Sequence, residues 1–95
     1  MKEIIIIYSK ESDKFLDKNQ GIVNKKIINE LLIKSLKKIF KDEIINIDLK
    51  ALKGEYENFY RIRKGKIRII FELKDDNTIV VNVIKIGFRG DVYND

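Results

Sequence analysis

Arg61, Arg63, Arg68 and Arg89 are the only arginines of the chain and all lie in its last third, whereas lysines run from Lys2 to Lys85. Arginine offers a planar, permanently charged fork that meets a phosphate through two parallel hydrogen bonds, which a lysine ammonium cannot do. The asymmetry points to a phosphate site in the C-terminal part. Cysteine and histidine are both absent. That removes disulfides, thiol nucleophiles, imidazole acid–base chemistry and the usual zinc ligands together. Any catalysis must therefore run on carboxylates, hydroxyls, lysines, arginines or tyrosines, and neither a metal nor a cofactor is expected. The net charge of +5 suits an anionic partner, although solvated lysine faces produce the same number without function.

The elements that must position these arginines follow from the apolar pattern. Ile4 to Tyr8 is a short β-branched run and reads as a buried strand. Ser9 stands where a helix N-cap belongs, Ser12 to Lys18 carries Phe15 and Leu16 on a brief helix, and Gly21 ends it. From Ile22 to about Lys41 apolar residues recur at helical spacing with lysines between them, which predicts one amphipathic helix and, with its predecessor, a helical hairpin. Asp42 to Asn58 reads as irregular, with Leu49, Ala51 and Leu52 pinned to the core before a turn at Gly54. Phe59 to Arg63, Ile67 to Leu73 and Ile79 to Ile86 alternate as strands do. The expected fold is α+β in the order β-α-α-β-β-β, the helical hairpin packed on a small, mainly antiparallel twisted sheet. With 95 residues and no proline- or glycine-rich break, residues 1–95 are expected to form a single domain.

Alternation puts Phe59, Arg61 and Arg63 on one face of their strand, and Arg68, Ile70 and Glu72 opposite Ile67, Ile69, Phe71 and Leu73 on the next. A two-residue turn at Lys64-Gly65 would pair Ile62 with Ile67 on the buried side, and Arg61 with Arg68 and Arg63 with Lys66 on the exposed side. Like charges facing each other across a sheet destabilise the pair unless an anion lies over them. Four cations in one patch ask for a phosphate. The plainer reading is a solvated face neutralised by Glu72 and other acids. Arg89 follows the last strand, and Tyr93 beyond it either stacks on a base or caps the core.

The strings Leu52-Lys53-Gly54, Tyr60-Arg61-Ile62-Arg63, Ile67-Arg68-Ile69-Ile70-Phe71 and Ile84 to Tyr93 together resemble the C-terminal signature of the RelE/ParE toxin superfamily. The resemblance is sharp over residues 49 to 93 and architectural before that. It implies the toxin of a type II toxin–antitoxin system: in the RelE-like branch, a ribosome-dependent mRNA endoribonuclease (an mRNA interferase) that inhibits translation in a stress response. It implies Arg61, Arg63, Arg68, Arg89 and Tyr93 as the catalytic set, with Lys53, Lys64 and Lys66 as RNA-binding lysines. On that reading Arg61 and Arg68 clamp the phosphoryl group, and Arg63 activates the 2′-hydroxyl. Arg89 serves the leaving group and Tyr93 orients a codon base. Because a guanidinium keeps its proton, Arg63 reads as an electrostatic activator rather than a base.

Two departures stand beside the resemblance: Phe88 and Gly90 occupy positions where relatives carry polar or basic residues. They keep open a degenerate toxin that only binds its antitoxin or RNA. A ParE-like inhibitor of DNA gyrase is the other alternative. The implied partners are a cognate antitoxin, docked on the apolar groove between the long helix and the sheet, and mRNA on the ribosome with rRNA contacts. No run approaches the roughly 18 to 20 apolar residues of a membrane span. Residues 1–8 are too short for a signal peptide, so a cytoplasmic location is expected.

Overall fold

The isoleucine run extends as β1 (Ile4–Tyr8), and α1 (Lys10–Lys18) and α2 (Lys25–Phe40) follow. Four further strands complete the chain: β2 (Asp48–Ala51), β3 (Phe59–Lys64), β4 (Ile67–Asp75) and β5 (Ile79–Phe88). The computed structural model describes residues 2–54 and 57–90. The strands form one sheet in the order β1-β5-β4-β3-β2. β1 runs parallel to β5, and every other neighbouring pair is antiparallel. The expected α+β class and mainly antiparallel sheet are thus observed, with one strand more than expected. Asp48–Ala51 lies inside the segment read as irregular. Its pattern of Asp48 and Lys50 against Leu49 and Ala51 has strand periodicity, but four residues are too few for it to stand out. Leu49 packs on the core as expected and Leu52 is buried, whereas Ala51 is exposed.

Helices and sheet meet over one core. Leu16 of α1 and Ile28, Leu31, Leu32 and Leu36 of α2 pack with Ile62, Ile69, Phe71, Val81, Val83 and Ile86 of the sheet. β1 was expected to be buried throughout. Instead Ile4, Ile6 and Tyr8 turn inward while Ile5 and Ile7 are exposed, because β1 is an edge strand and no helix covers the second face there. α2 begins three residues later than the apolar spacing suggests. The Asn24 side chain caps it by accepting from the Ile27 amide at 3.0 Å, which satisfies one of the amides that a helix start leaves without a partner. Ile22 stays exposed ahead of that cap, whereas Val23 is buried.

Ser9 caps α1 as expected, accepting from the Ser12 amide at 3.0 Å. The same serine donates to the Ile84 carbonyl at 2.8 Å, and the buried Ser12 donates to Val83 at 3.3 Å. Those carbonyls lie where β5 carries an extra residue, since Ile70 pairs with Lys85 but Phe71 pairs with Val83. Such a bulge interrupts the ladder, and the Ser9 and Ser12 hydroxyls reach the carbonyls beside it, Val83 also accepting from the Ser9 amide at 2.9 Å.

Tyr8 ties β1 to both helices. Its hydroxyl donates to Asn29 Oδ1 at 2.6 Å, and Lys25 Nζ lies 4.9 Å from its ring centre. Lys25 in turn pairs with Asp13 at 3.1 Å. Burial, and after it the negative charge of Asp13, pushes the Tyr8 hydroxyl up to about 12 from 10.0. Unfolding lets this proton go more easily, so the folded state loses stability as the pH climbs from about 10 toward 12 and is unaffected below that window. Alkaline unfolding by circular dichroism should show this loss, and Tyr8→Phe should flatten it. A late tyrosinate transition that persists in Tyr8→Phe would refute the assignment.

Candidate nucleic-acid interface

β3 and β4 form a hairpin whose two-residue turn is Gly65-Lys66, with Lys64 opposite Ile67. Gly65 has φ +57, which suits the first position of a tight hairpin turn, where only glycine enters the left-handed region without strain. This turn lies one residue beyond the Lys64-Gly65 turn read from the sequence, so every pairing moves by two residues. Ile62 faces Ile69, Tyr60 faces Phe71, Arg63 faces Arg68, and Arg61 faces Ile70. The expected Arg61–Arg68 and Arg63–Lys66 pairs are therefore corrected. A shift of two preserves the faces, so the arginines remain opposite the helix-covered side.

The exposure expected for that face is also corrected. Arg61 and Arg68 are only 4% and 6% exposed. A buried guanidinium is costly unless acceptors surround it, and the chain supplies them. Arg68 Nη1 donates to the Gly65 carbonyl at 2.7 Å and to the Ile67 carbonyl at 3.1 Å, bracing the turn from beneath. It lies across from Gly87, which carries no side chain to compete for the space. Arg61 Nη2 donates to Asp48 Oδ1 at 3.2 Å, and Arg63 Nε donates to Asp48 Oδ2 at 2.8 Å. One carboxylate thus spans two guanidiniums. Among the described residues, the acid that pairs with both is Asp48 of β2, directly opposite Arg63 in register. Glu72, the acid expected in that role, accepts from Asn82 at 3.1 Å. Sequence reading missed Asp48 because it missed the strand that carries it.

The accessible cations gather at the turn. Arg63 keeps 39% of its side chain exposed, and Lys64, Lys66 and Arg89 are exposed. The Arg89 amide donates to the Lys66 carbonyl at 2.8 Å, continuing the β4–β5 ladder past its last pair, Ile67–Phe88. Arg89 is thereby fixed beside the turn that carries Lys64 and Lys66. Lys53 is exposed at the far end of the β2–β3 pair, about 20 Å of strand from Lys64, and does not join this group. Tyr93 lies outside the described residues. Phe88 is half-buried and meets Phe15 edge-on at 5.1 Å between ring centres. Its apolar character is accounted for by that contact with α1. A cleft of about 220 Å³ opens next to the turn, between α2 and the β2–β3 edge, with Lys34, Asn46, Asp48, Arg63 and Lys64 among its walls.

No family model and no curated protein matches the chain in sequence. Solved structures do match. A copper-bound mutant toxin from Helicobacter pylori superposes with a TM-score of 0.65 at 20% identity, over 98% of this chain and 100% of its own. A toxin of the YoeB/ParE type from Agrobacterium tumefaciens gives 0.58 at 14% identity, over 94% and 99%. The RelBE2 toxin–antitoxin complex from Mycobacterium tuberculosis gives 0.55 at 16% identity, over 90% and 96%. These likenesses extend over nearly the whole length of each partner, helices and sheet together. The chain has the RelE-like toxin fold.

Proposed function

We propose that this protein is the toxin of a type II toxin–antitoxin system and acts as a ribosome-dependent mRNA endoribonuclease. The observation that carries the reading is the convergence of Arg63, Lys64, Lys66 and Arg89 at one hairpin turn, with Arg63 backed by the buried Arg61 and Arg68. Such a cluster suits a phosphodiester whose negative charge grows in the transition state. In the proposed reaction the 2′-hydroxyl loses its proton as its oxygen bonds to the adjacent phosphorus. The bond from phosphorus to the 5′-oxygen breaks, and that oxygen takes up a proton. The products are a 2′,3′-cyclic phosphate and a 5′-hydroxyl end. Arg63 favours the 2′-oxyanion electrostatically, and Arg89 attends the leaving oxygen. Tyr93 is proposed to orient a base.

The burial of Arg61 and Arg68 favours a second reading. Two of the four guanidiniums are committed to Asp48 and to the turn carbonyls, as in a toxin that binds without cutting. Programmed ribosomes carrying mRNA in the decoding site separate the two. Cuts within codons that require both the protein and the ribosome, mapped by primer extension, support the nuclease. Intact mRNA removes it, and a gyrase supercoiling assay then tests the ParE-like alternative.

A small antitoxin is the proposed partner, as in the mycobacterial complex of the same fold. The groove between the C-terminal half of α2 and the start of β1 and β5 is its proposed seat, with an apolar floor of Ile4, Ile33, Leu36, Phe40 and Ile79. Lys37 and Lys41 stand at its rim and suit an acidic, apolar peptide segment. No helix of the described residues is long and apolar enough to cross a membrane, and the cytoplasm is the proposed location.

A further inference from the structure

The geometry points to the open edge of β1 as a self-pairing surface, on which a second copy of this chain lays its own β1 antiparallel so that the two sheets continue as one. It does not depend on the RNA-binding reading. Among the described residues β5 is the only strand beside β1. The β1–β5 ladder runs from the Glu3 carbonyl, which accepts from the Ile79 amide at 2.9 Å, to the Ser9 amide, which donates to the Val83 carbonyl at 2.9 Å. A parallel ladder engages every second residue of a strand, so the backbone groups of Ile4, Ile6 and Tyr8 point to the free side. Their side chains turn toward the helices yet stay partly exposed, and on the other face Ile5 and Ile7 are 38% and 49% exposed.

The two edges of the sheet differ. β2, at the far edge, is four residues long and carries Asp48 and Lys50, and brevity and charge are the usual defences of an edge against pairing. Ile4–Tyr8 has neither charge nor proline, and its register with β5 has no bulge. Its own strand is the partner that fits it. With a two-fold axis through Ile6, perpendicular to the sheet, Ile6 meets Ile6 of the second copy and Ile4 meets Tyr8 of the second copy. These are the pairs that exchange both backbone hydrogen bonds, so every free group of the edge finds a partner. The same axis sets Ile5 opposite Ile7 of the second copy on the outer face and keeps the helices of both copies on one side. A slip of one residue would set inward side chains against outward ones, and a slip of two would leave the end of each strand unpaired. Pairing of five-residue strands buries less than the roughly 1,200 Å² of a standard interface, so the dimer is weak and concentration-dependent. The net charge of +5 on each copy opposes it, and salt screens that repulsion.

The chain has no cysteine of its own, so introduced thiols report the register. Across the axis Ile5 and Ile7 form a non-hydrogen-bonded pair with Cα atoms about 4.5 Å apart, within reach of a disulfide. Ile5→Cys and Ile7→Cys proteins, mixed, oxidised and run on a non-reducing gel, should give a crosslinked dimer. Either variant alone should remain uncrosslinked, because like positions then lie on a diagonal of about 7–8 Å. Sedimentation velocity of the wild-type chain, from micromolar to near-millimolar concentration, should show a monomer–dimer equilibrium that tightens with salt. Ile5→Lys combined with Ile7→Lys sets ammonium groups opposite each other across the axis and should weaken association by roughly tenfold or more. A wild-type chain that stays monomeric over the whole range overturns the proposal and leaves the edge to a strand of a different protein. Association that the lysine variant leaves unchanged, with wild-type circular dichroism, overturns it too. So does crosslinking of either cysteine variant alone as readily as of the mixture.

Discussion

Arg63→Ala and Arg89→Ala are each expected to lower ribosome-dependent cleavage by roughly a hundred- to a thousandfold, the cost of deleting one preorganised donor to a developing oxyanion. Both side chains are accessible, and neither lies in the apolar core. The fold should therefore survive, and the loss should fall on the rate of cutting. Arg63→Lys should recover only part of the activity, because an ammonium keeps the charge but not the planar fork that meets a phosphate through two hydrogen bonds. Arg68→Ala provides the contrast. Its guanidinium is buried and holds the Gly65 and Ile67 carbonyls, so its removal should appear first as a lower melting temperature. Single-turnover cleavage on programmed ribosomes, paired with thermal unfolding of each variant, measures both effects. Wild-type rates in Arg63→Ala would remove Arg63 from the catalytic set.

Phe71→Ala should destabilise the domain by about 3–5 kcal/mol, the usual cost of emptying a buried phenylalanine site. Phe71 is fully buried at the centre of the sheet, faces Val83 on β5, and stacks on Tyr60 of β3 with 5.3 Å between ring centres. Its neighbours on the sheet are strand residues held by the ladder, and they have little freedom to collapse into the void. For a domain of this size each kcal/mol moves the midpoint by about 4–8 °C, so a fall of more than about 12 °C is expected. Because small domains hold only about 5–15 kcal/mol in total, the variant is expected to be partly unfolded at physiological temperature. Differential scanning calorimetry decides it, and a shift of only a few degrees would contradict the packing described.

Much of the scaffold was legible because its signals are periodic and long. The helical spacing of Ile28, Leu31, Leu32 and Leu36 and the alternation through β4 each repeat over several turns or residues, so a single exception does not erase them. Helix starts proved local: Ser9 was readable as a cap, but Asn24 was overlooked because apolar residues at Ile22 and Val23 extended the pattern ahead of it. The hairpin register could not be read to better than two residues, since Lys64, Gly65 and Lys66 allow two turns that place the same side chains on the same faces. That ambiguity hid the Arg63–Arg68 pairing. The burial of Arg61 and Arg68 was out of reach for a different reason. Periodicity assigns a side chain to a face, but not what lies over it, and the acceptors that make these guanidiniums tolerable come from a four-residue strand and from turn carbonyls. The convergence of cations was visible in composition, and its centre of gravity at the turn was not.

The parallel pairing of β1 with β5 also sets a timetable. Tyr8 meets Val83 and Ile4 meets Ile79, partners separated by nearly the whole length of the sequence. At roughly 5–20 residues per second of synthesis, about four to fifteen seconds pass between the making of β1 and the arrival of the strand it needs. During that interval β1 is an unsatisfied apolar ribbon, and neither the five-stranded sheet nor the pairing that sets Arg89 beside the Lys66 turn can be complete. The cation cluster at the turn is therefore assembled only when almost the last of these residues has been added.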